Sequence, residues 1–169
     1  MRTHSSLVVD VVELLEDPGT PKPLVFTADV PEMAAGLSRA APEVDLDLAA
    51  EAIDGGIWVK GAVAGRYRAE CRRCLAPVDQ RFSYEVAELY RPQTEVWEEG
   101  YVIKETSIDL GPLVRDAVVL NLPQNPLCRD DCAGLCGVCG GNLNDEPHTH
   151  GAEIDSRWSA LKDLRDGLR

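Results

Sequence analysis

Four cysteines and two histidines crowd one glycine-rich stretch, "CRDDCAGLCGVCGGNLNDEPHTH", Cys128 to His150. Such a run is too polar to build a core of its own, so something else must hold it in shape. "CRRC" upstream adds Cys71 and Cys74, which makes six cysteines in close-spaced sets. A C-x-x-C turn carries two thiolates to one ion, and zinc prefers four such soft or borderline ligands in a tetrahedron. Two C-x-x-C pairs far apart in sequence are a strong zinc signal. "CGVCGG" has the glycines that a tight turn behind the second sulfur needs. "CRRC" runs into Leu75-Ala76-Pro77 and lacks them.

The metal reading depends on the compartment, because oxidising surroundings turn cysteine pairs into disulfides. In "MRTHSSLVVDVVELLED" the apolar residues are interrupted by Asp10 and Glu13, so no unbroken apolar region of a signal peptide forms. No run approaches the ~18 apolar residues of a membrane helix. The expectation is a cytoplasmic protein with reduced thiols, no membrane association, and Zn2+ as cofactor, one ion or two.

Six cysteines do not divide into fours. Adding His148 and His150 completes two sets: Cys71, Cys74, Cys128 and Cys132 in one, and Cys136, Cys139, His148 and His150 in the other. A rival partition makes one local site of Cys128, Cys132, Cys136 and Cys139. A third joins the two C-x-x-C pairs and leaves Cys128 and Cys132 over. A site tying Cys71 and Cys74 to the tail is favoured, since such a cross-link adds folding energy where a core is thin. The plain alternative for the two histidines is a polar surface loop.

Other cysteine chemistries fit less well. Cys132, Cys136 and Cys139 have the C-x3-C-x2-C spacing of radical S-adenosylmethionine enzymes, but those need a large barrel that the remaining chain cannot build. An iron–sulfur cluster is chemically allowed. A thioredoxin-like pair would open a helix, whereas "CRRC" lies between strand-like segments.

Length allows one core with a small satellite. The expected division is an α+β core over 1–127, including the C-x-x-C at 71–74, and a cysteine-rich zinc segment with a C-terminal helix over 128–169, packed on the core. Alternation predicts strands at 24–30 and 43–53, a hairpin through Asp54-Gly55 into 57–70, and a third strand at 77–90. These make an antiparallel sheet that curls toward a barrel. Residues 7–16 read as strand or short helix, and 91–100 as an acidic loop. Leu110, Leu113, Val114, Ala117, Val118 and Asn121 predict a helix over 107–123, with Asp109 as cap and Pro112 in its first turn. Trp158, Leu161, Leu164 and Leu168 predict another over 155–169, capped by Ser156.

No catalytic constellation is visible: no P-loop, no H-E-x-x-H and no G-x-S-x-G. A catalytic zinc keeps one position open, and an all-thiolate site is closed. The reading is therefore non-enzymatic, with no small-molecule substrate.

Net charge is −12 and the pI about 4.6, so the chain as a whole repels nucleic acid and anionic membranes and suits basic proteins. One window differs. Arg66, Arg68, Arg72, Arg73 and Arg81 stand against Glu70 and Asp79 alone. Arg66, Arg68 and Arg72 share strand parity, and with Tyr67 they suit phosphate and base contacts. A solvated face paired with nearby carboxylates is the simpler reading.

The ordered set "VVELLEDPGT", "ECRRCLAPV", "IDLGPLVRDAVVLNLPQNPLC", "DCAGLCGVCGGNLN" and "DSRWSALKDL" resembles the YceD family of large-ribosomal-RNA-subunit accumulation proteins. The resemblance covers nearly the whole chain. It implies a cytoplasmic, non-enzymatic factor in ribosome assembly or processing of 23S ribosomal RNA. The partner would be an rRNA precursor, or a basic ribosomal protein or processing factor. Many members end the cysteine run in C-x-C where this chain has His148-Thr149-His150, which implies histidines standing in as ligands. The alternative class is a redox sensor whose thiols release zinc on oxidation.

Overall fold

Period-two alternation buries one face of a strand and wets the other. The computed structural model, which describes residues 3–4, 7–92 and 100–151, is mostly sheet for that reason. In chain order the elements are β1 (Thr3–His4), β2 (Val8–Asp10), α1 (Val12–Glu16), β3 (Lys22–Asp29) and β4 (Ala34–Ala35). Three long strands follow: β5 (Ser38–Ile53), β6 (Gly56–Glu70) and β7 (Pro77–Pro92). β8 (Val102–Lys104), β9 (Ser107–Asp109) and α2 (Gly111–Asn121) complete the described part.

The strand order is β1-β3-β5-β6-β7-β8-β9-β2, with β4 pairing β5. This order forces the sheet to curl. β1 and β2 lie on opposite edges, yet only residues 5–7 separate them. That connection reaches at most ~14 Å, whereas eight strands laid flat would span roughly 34 Å. The edges must therefore bend toward each other, and the sheet becomes a half-barrel.

The concave side holds the core. Val44, Leu46, Leu48 and Ala50 of β5 face it beside Ile57, Val59 and Val63 of β6 and Phe82 and Tyr90 of β7, all buried. α2 lays Leu113, Val114, Ala117 and Val118 into the curl. Each fully buried aliphatic side chain contributes about 1.5–3 kcal/mol. Gly61 sits where β5 and β6 press together, at φ +145°, and a Cβ there would meet the Asp47 carbonyl oxygen at 2.2 Å. No larger residue fits without moving the strands.

The hairpin turn at Asp54-Gly55 and the strand at 77–90 stand where alternation puts them. Residues 7–16 are both things expected of them: strand, then short helix. The helix expected over 107–123 is shorter. Residues 107–109 form β9 instead, because Ile108 is fully buried between Val9 and Ile103 in the sheet. The Asp109 carboxylate then accepts the Gly111 amide at 2.8 Å, which starts α2 with Pro112 in its first turn. The helix expected over 155–169 and most of the loop at 91–100 lie outside the described residues. Among the described residues no helix is long and apolar enough to cross a membrane.

Candidate metal centres

β6 ends at Glu70, and the next residues turn back into β7. The Leu75 amide donates to the Cys71 carbonyl at 2.9 Å, and the Cys71 amide to the Ala76 carbonyl at 2.8 Å. The turn aims both sulfurs inward, where Cys71 and Cys74 are buried. Beyond α2 the chain is strapped down. Ser38 Oγ donates to the Pro123 carbonyl, the Leu37 amide to Gln124 and the Arg72 amide to Pro126. These bonds deliver Cys128 and Cys132 to the same place.

The four sulfurs form one cluster. Cys71 Sγ lies 3.8 Å from Cys132 Sγ, and Cys74 Sγ 3.6 Å from Cys128 Sγ. All four lie within 4.8 Å of one another. That is too far for disulfides, and all six cysteines are free thiols. A zinc tetrahedron with Zn–S near 2.3 Å has edges of ~3.8 Å, so the spacing fits that ion. Charge fits as well. Burial pushes the Cys71 thiol up, but the amides of Cys74 and Arg73 outweigh it and bring the pKa down to about 6. Cys132 is also burdened by burial, yet the Asn144 side-chain amide helps hold it low. Cys128 is pushed up to about 12 by burial and its neighbouring thiols. Four sulfurs this close cannot all ionise without a cation among them.

A second cluster follows at once. The Leu135 amide donates to the Arg73 carbonyl at 3.0 Å, and Leu135 bridges Asn142 in a short antiparallel contact. Between them Cys136 and Cys139 turn as Cys71 and Cys74 do. The Gly140 amide donates to the Cys136 carbonyl at 2.9 Å, and the Cys136 amide to the Gly141 carbonyl at 2.8 Å. The amides of Cys139 and Val138 hold the Cys136 thiol down at about 6. His148 Nε2 lies 3.1 Å and His150 Nε2 3.3 Å from Cys139 Sγ. The four donor atoms fall within 4.8 Å of one another, near the ~3.5 Å sulfur–nitrogen edges of a zinc tetrahedron. His148 Nδ1 donates to the Glu146 carbonyl at 2.7 Å, which leaves Nε2 with its lone pair free for a metal. That carbonyl also raises the His148 pKa.

Every ligand candidate of both clusters lies within residues 59–165, and that span matches the family described as "Large ribosomal RNA subunit accumulation protein YceD". The chain belongs to the YceD family. It is similar to an uncharacterized protein of Mycobacterium tuberculosis, 39% identical over 95% of this chain and 82% of that one. An uncharacterized protein of Mycobacterium leprae is 36% identical over 95% of this chain and 78% of its own. No solved structure matches.

Of the three partitions of the cysteines, this YceD chain brings together the one with two four-ligand sets. Cys128 and Cys132 join Cys71 and Cys74, and the histidines join Cys136 and Cys139. The five arginines scatter. Arg66, Arg68 and Arg81 are exposed on the outer face of the sheet. Arg72 leaves the strand parity of Arg66 and Arg68, because β6 stops at Glu70 and Arg72 sits in the turn. Arg73 Nη1 donates to the Cys132 carbonyl at 2.8 Å, which makes it a clamp on the first cluster. Sequence reasoning missed Asn144. Its amide donates to Cys132 Sγ at 3.4 Å and to Asn142 Oδ1 at 2.8 Å, while its oxygen accepts from the Ala133 amide and from Arg129. The "NLN" after the last glycines was the available signal.

Proposed function

We propose that this YceD protein is a non-enzymatic cytoplasmic factor in the accumulation of 23S ribosomal RNA, through processing or large-subunit assembly. Two Zn2+ ions hold it in shape, on Cys71, Cys74, Cys128 and Cys132 and on Cys136, Cys139, His148 and His150. The observation that carries the reading is the family match, whose span contains both four-donor clusters. Each proposed site takes four protein ligands and leaves no open position for a reacting water. The zinc therefore serves folding, and function rests on surfaces. The partners proposed are the rRNA precursor or a basic ribosomal protein or processing factor, the latter drawn by the net charge of −12. No membrane and no small-molecule substrate enter.

Two measurements test this. Elemental analysis of protein purified without added metal or chelator should find two zinc ions per chain. Depletion of the protein in its own host should lower mature 23S RNA relative to 16S. Metal-free folded protein would remove the zinc, and an unchanged RNA ratio would remove the ribosomal role.

A second reading, a thiol redox sensor, is favoured by the exposure of Cys139 and His150 in the second cluster. Mild peroxide would then release one zinc per chain, and a thiol reductant would restore binding. No release under peroxide, or irreversible release, would end that reading.

A further inference from the structure

Directly opposite side chains on neighbouring strands of one face stand close, and like charges there destabilise a sheet. This chain places two such pairs side by side. Arg39 of β5 is the register partner of Arg68 of β6, and Arg66 of β6 is the partner of Arg81 of β7. Arg66 and Arg68 are two residues apart, so all four point from the same outer face. Asp79, the β7 partner of Arg68, takes Arg66 at 2.8 Å and Arg68 at 3.6 Å. Glu32 takes Arg39 at 3.3 Å. Three of the four guanidinium groups thus share two carboxylates and Arg81 pairs with neither, in a chain that is strongly acidic overall. Folding alone gives no reason for that concentration.

The backbone shapes the same place. The pairing of β5 with β6 shifts register between Ala40 and Val44, so residues 41–43 bulge opposite Arg66. The bulge opens a groove of about 470 Å³ lined by Glu32, Arg39, Ala40, Pro42, Arg66 and Arg68. Its floor is small and apolar and its walls carry planar, multi-donor cations. Guanidinium forks match phosphate oxygens in pairs. Arg68 is 85% exposed and Arg66 54%, so both can reach a ligand.

We infer that the face bearing Arg39, Arg66, Arg68 and Arg81 binds the phosphate backbone of RNA. This rests on the ribosomal reading proposed above and assigns the surface that would serve it. Acidic residues more than ~10 Å away are largely screened at 0.1 M salt, whereas charges in contact with phosphate are screened far less. Contacts of this kind position a strand without reading its sequence. Arg39 belongs to the set although it is distant in sequence. Arg73 does not, since its guanidinium is turned to the Cys132 carbonyl, and neither does Arg72, which lies past the end of β6 in the turn.

The test uses the full chain with its metal content measured, and a fluorescein-labelled single-stranded RNA of mixed sequence as probe. Anisotropy should show binding at 0.1 M salt that weakens as salt rises. Arg66→Glu with Arg81→Glu should weaken it at least tenfold and flatten the salt dependence. Arg66→Gln with Arg81→Gln is the folding control. It should weaken RNA binding while its Tm changes little, because the Arg66–Asp79 pair it loses is largely exposed and the opposed Arg66 and Arg81 charges go with it; a structural role for these arginines would lower the Tm markedly. Absence of RNA binding by the unmodified protein, or double variants that bind as tightly as it does, overturns the inference. So does capture of a basic polypeptide on this face in place of RNA. The ribosomal reading fails separately, if depletion leaves 23S RNA unchanged.

Discussion

Leu75 and Gly140 hold the same place in two copies of one turn. Each follows the second cysteine of a C-x-x-C pair, and each donates its amide to the carbonyl of the first cysteine at 2.9 Å. Leu75 has φ +61° and Gly140 φ +73°. In both copies the amides two and three residues after the first cysteine help hold its thiol down. The backbone of "CRRCL" thus makes the same turn as "CGVCG" without the glycine that would mark it in the sequence.

Leu75→Gly should leave the fold intact and raise stability by up to about 1 kcal/mol. A left-handed leucine costs roughly 1–2 kcal/mol, and the extra freedom of glycine in the unfolded chain returns about 0.5–1 kcal/mol of that. Leu75 is 59% exposed, so little packing is lost. Urea unfolding of zinc-loaded protein reads the difference. Leu75→Val should destabilise, since a branched Cβ tolerates positive φ poorly. A large loss with glycine would mean that the leucine side chain itself carries the turn.

Chelation should proceed in two steps. The first cluster is buried and joins residues 54 and 61 positions apart, so releasing its metal means lifting the tail from the core. The second is local, with Cys139 and His150 exposed, and can open without global unfolding. A colorimetric zinc indicator with circular dichroism should record one ion lost while the sheet signal stays, then a second lost as it collapses. Simultaneous loss would show that the two sites form one cooperative unit.

Asn144→Ala should weaken metal binding at the first cluster by 10- to 100-fold, the usual range for a residue that orients a ligand. The substitution removes the amide on Cys132 Sγ and frees the Ala133 amide. Competition against a chelator of known affinity measures it. An unchanged affinity would reduce Asn144 to a loop residue.

Asp79→Asn should lower stability slightly at neutral pH and remove the matching part of its loss in acid. The Arg66 guanidinium holds the Asp79 carboxyl below the usual carboxylate range. A carboxyl with a depressed folded pKa stabilises above its unfolded pKa, near 4, and loses that contribution as pH falls through the folded value. The pair is largely exposed, so the contribution is small. Unfolding between pH 3 and 7 should show a shallower acid loss in the variant. Freed of their carboxylate, Arg66 and Arg68 should also bind the RNA probe severalfold more tightly. Weaker RNA binding would contradict the proposed phosphate face.

Much of the sheet was legible because period two is a local property. Val44, Leu46 and Leu48 announce a buried face wherever their strand pairs, and Asp54-Gly55 announces the turn that pairs it. β9 was not legible. Ser107, Ile108 and Asp109 continue a helical stripe, and only the gap between Val9 and Ile103 recruits them to the sheet. The arginines failed for a similar reason. Parity along one strand cannot show that Arg72 lies past the strand end, or that Arg39 is the partner of Arg68.

By itself the sequence determined which atoms were available for metal and that they numbered eight, enough for two sets of four. Cysteine spacing and donor chemistry are written in the chain, and so is the alternation that makes a one-sided sheet. Which donors share a cluster was decided by tertiary structure alone. Cys71 meets Cys132 because β6, β7 and α2 pack together and the tail is strapped to Ser38 and Arg72, and no spacing rule carries that information. Ligand partition is a distance in space, and distances between remote residues exist only once the core has closed.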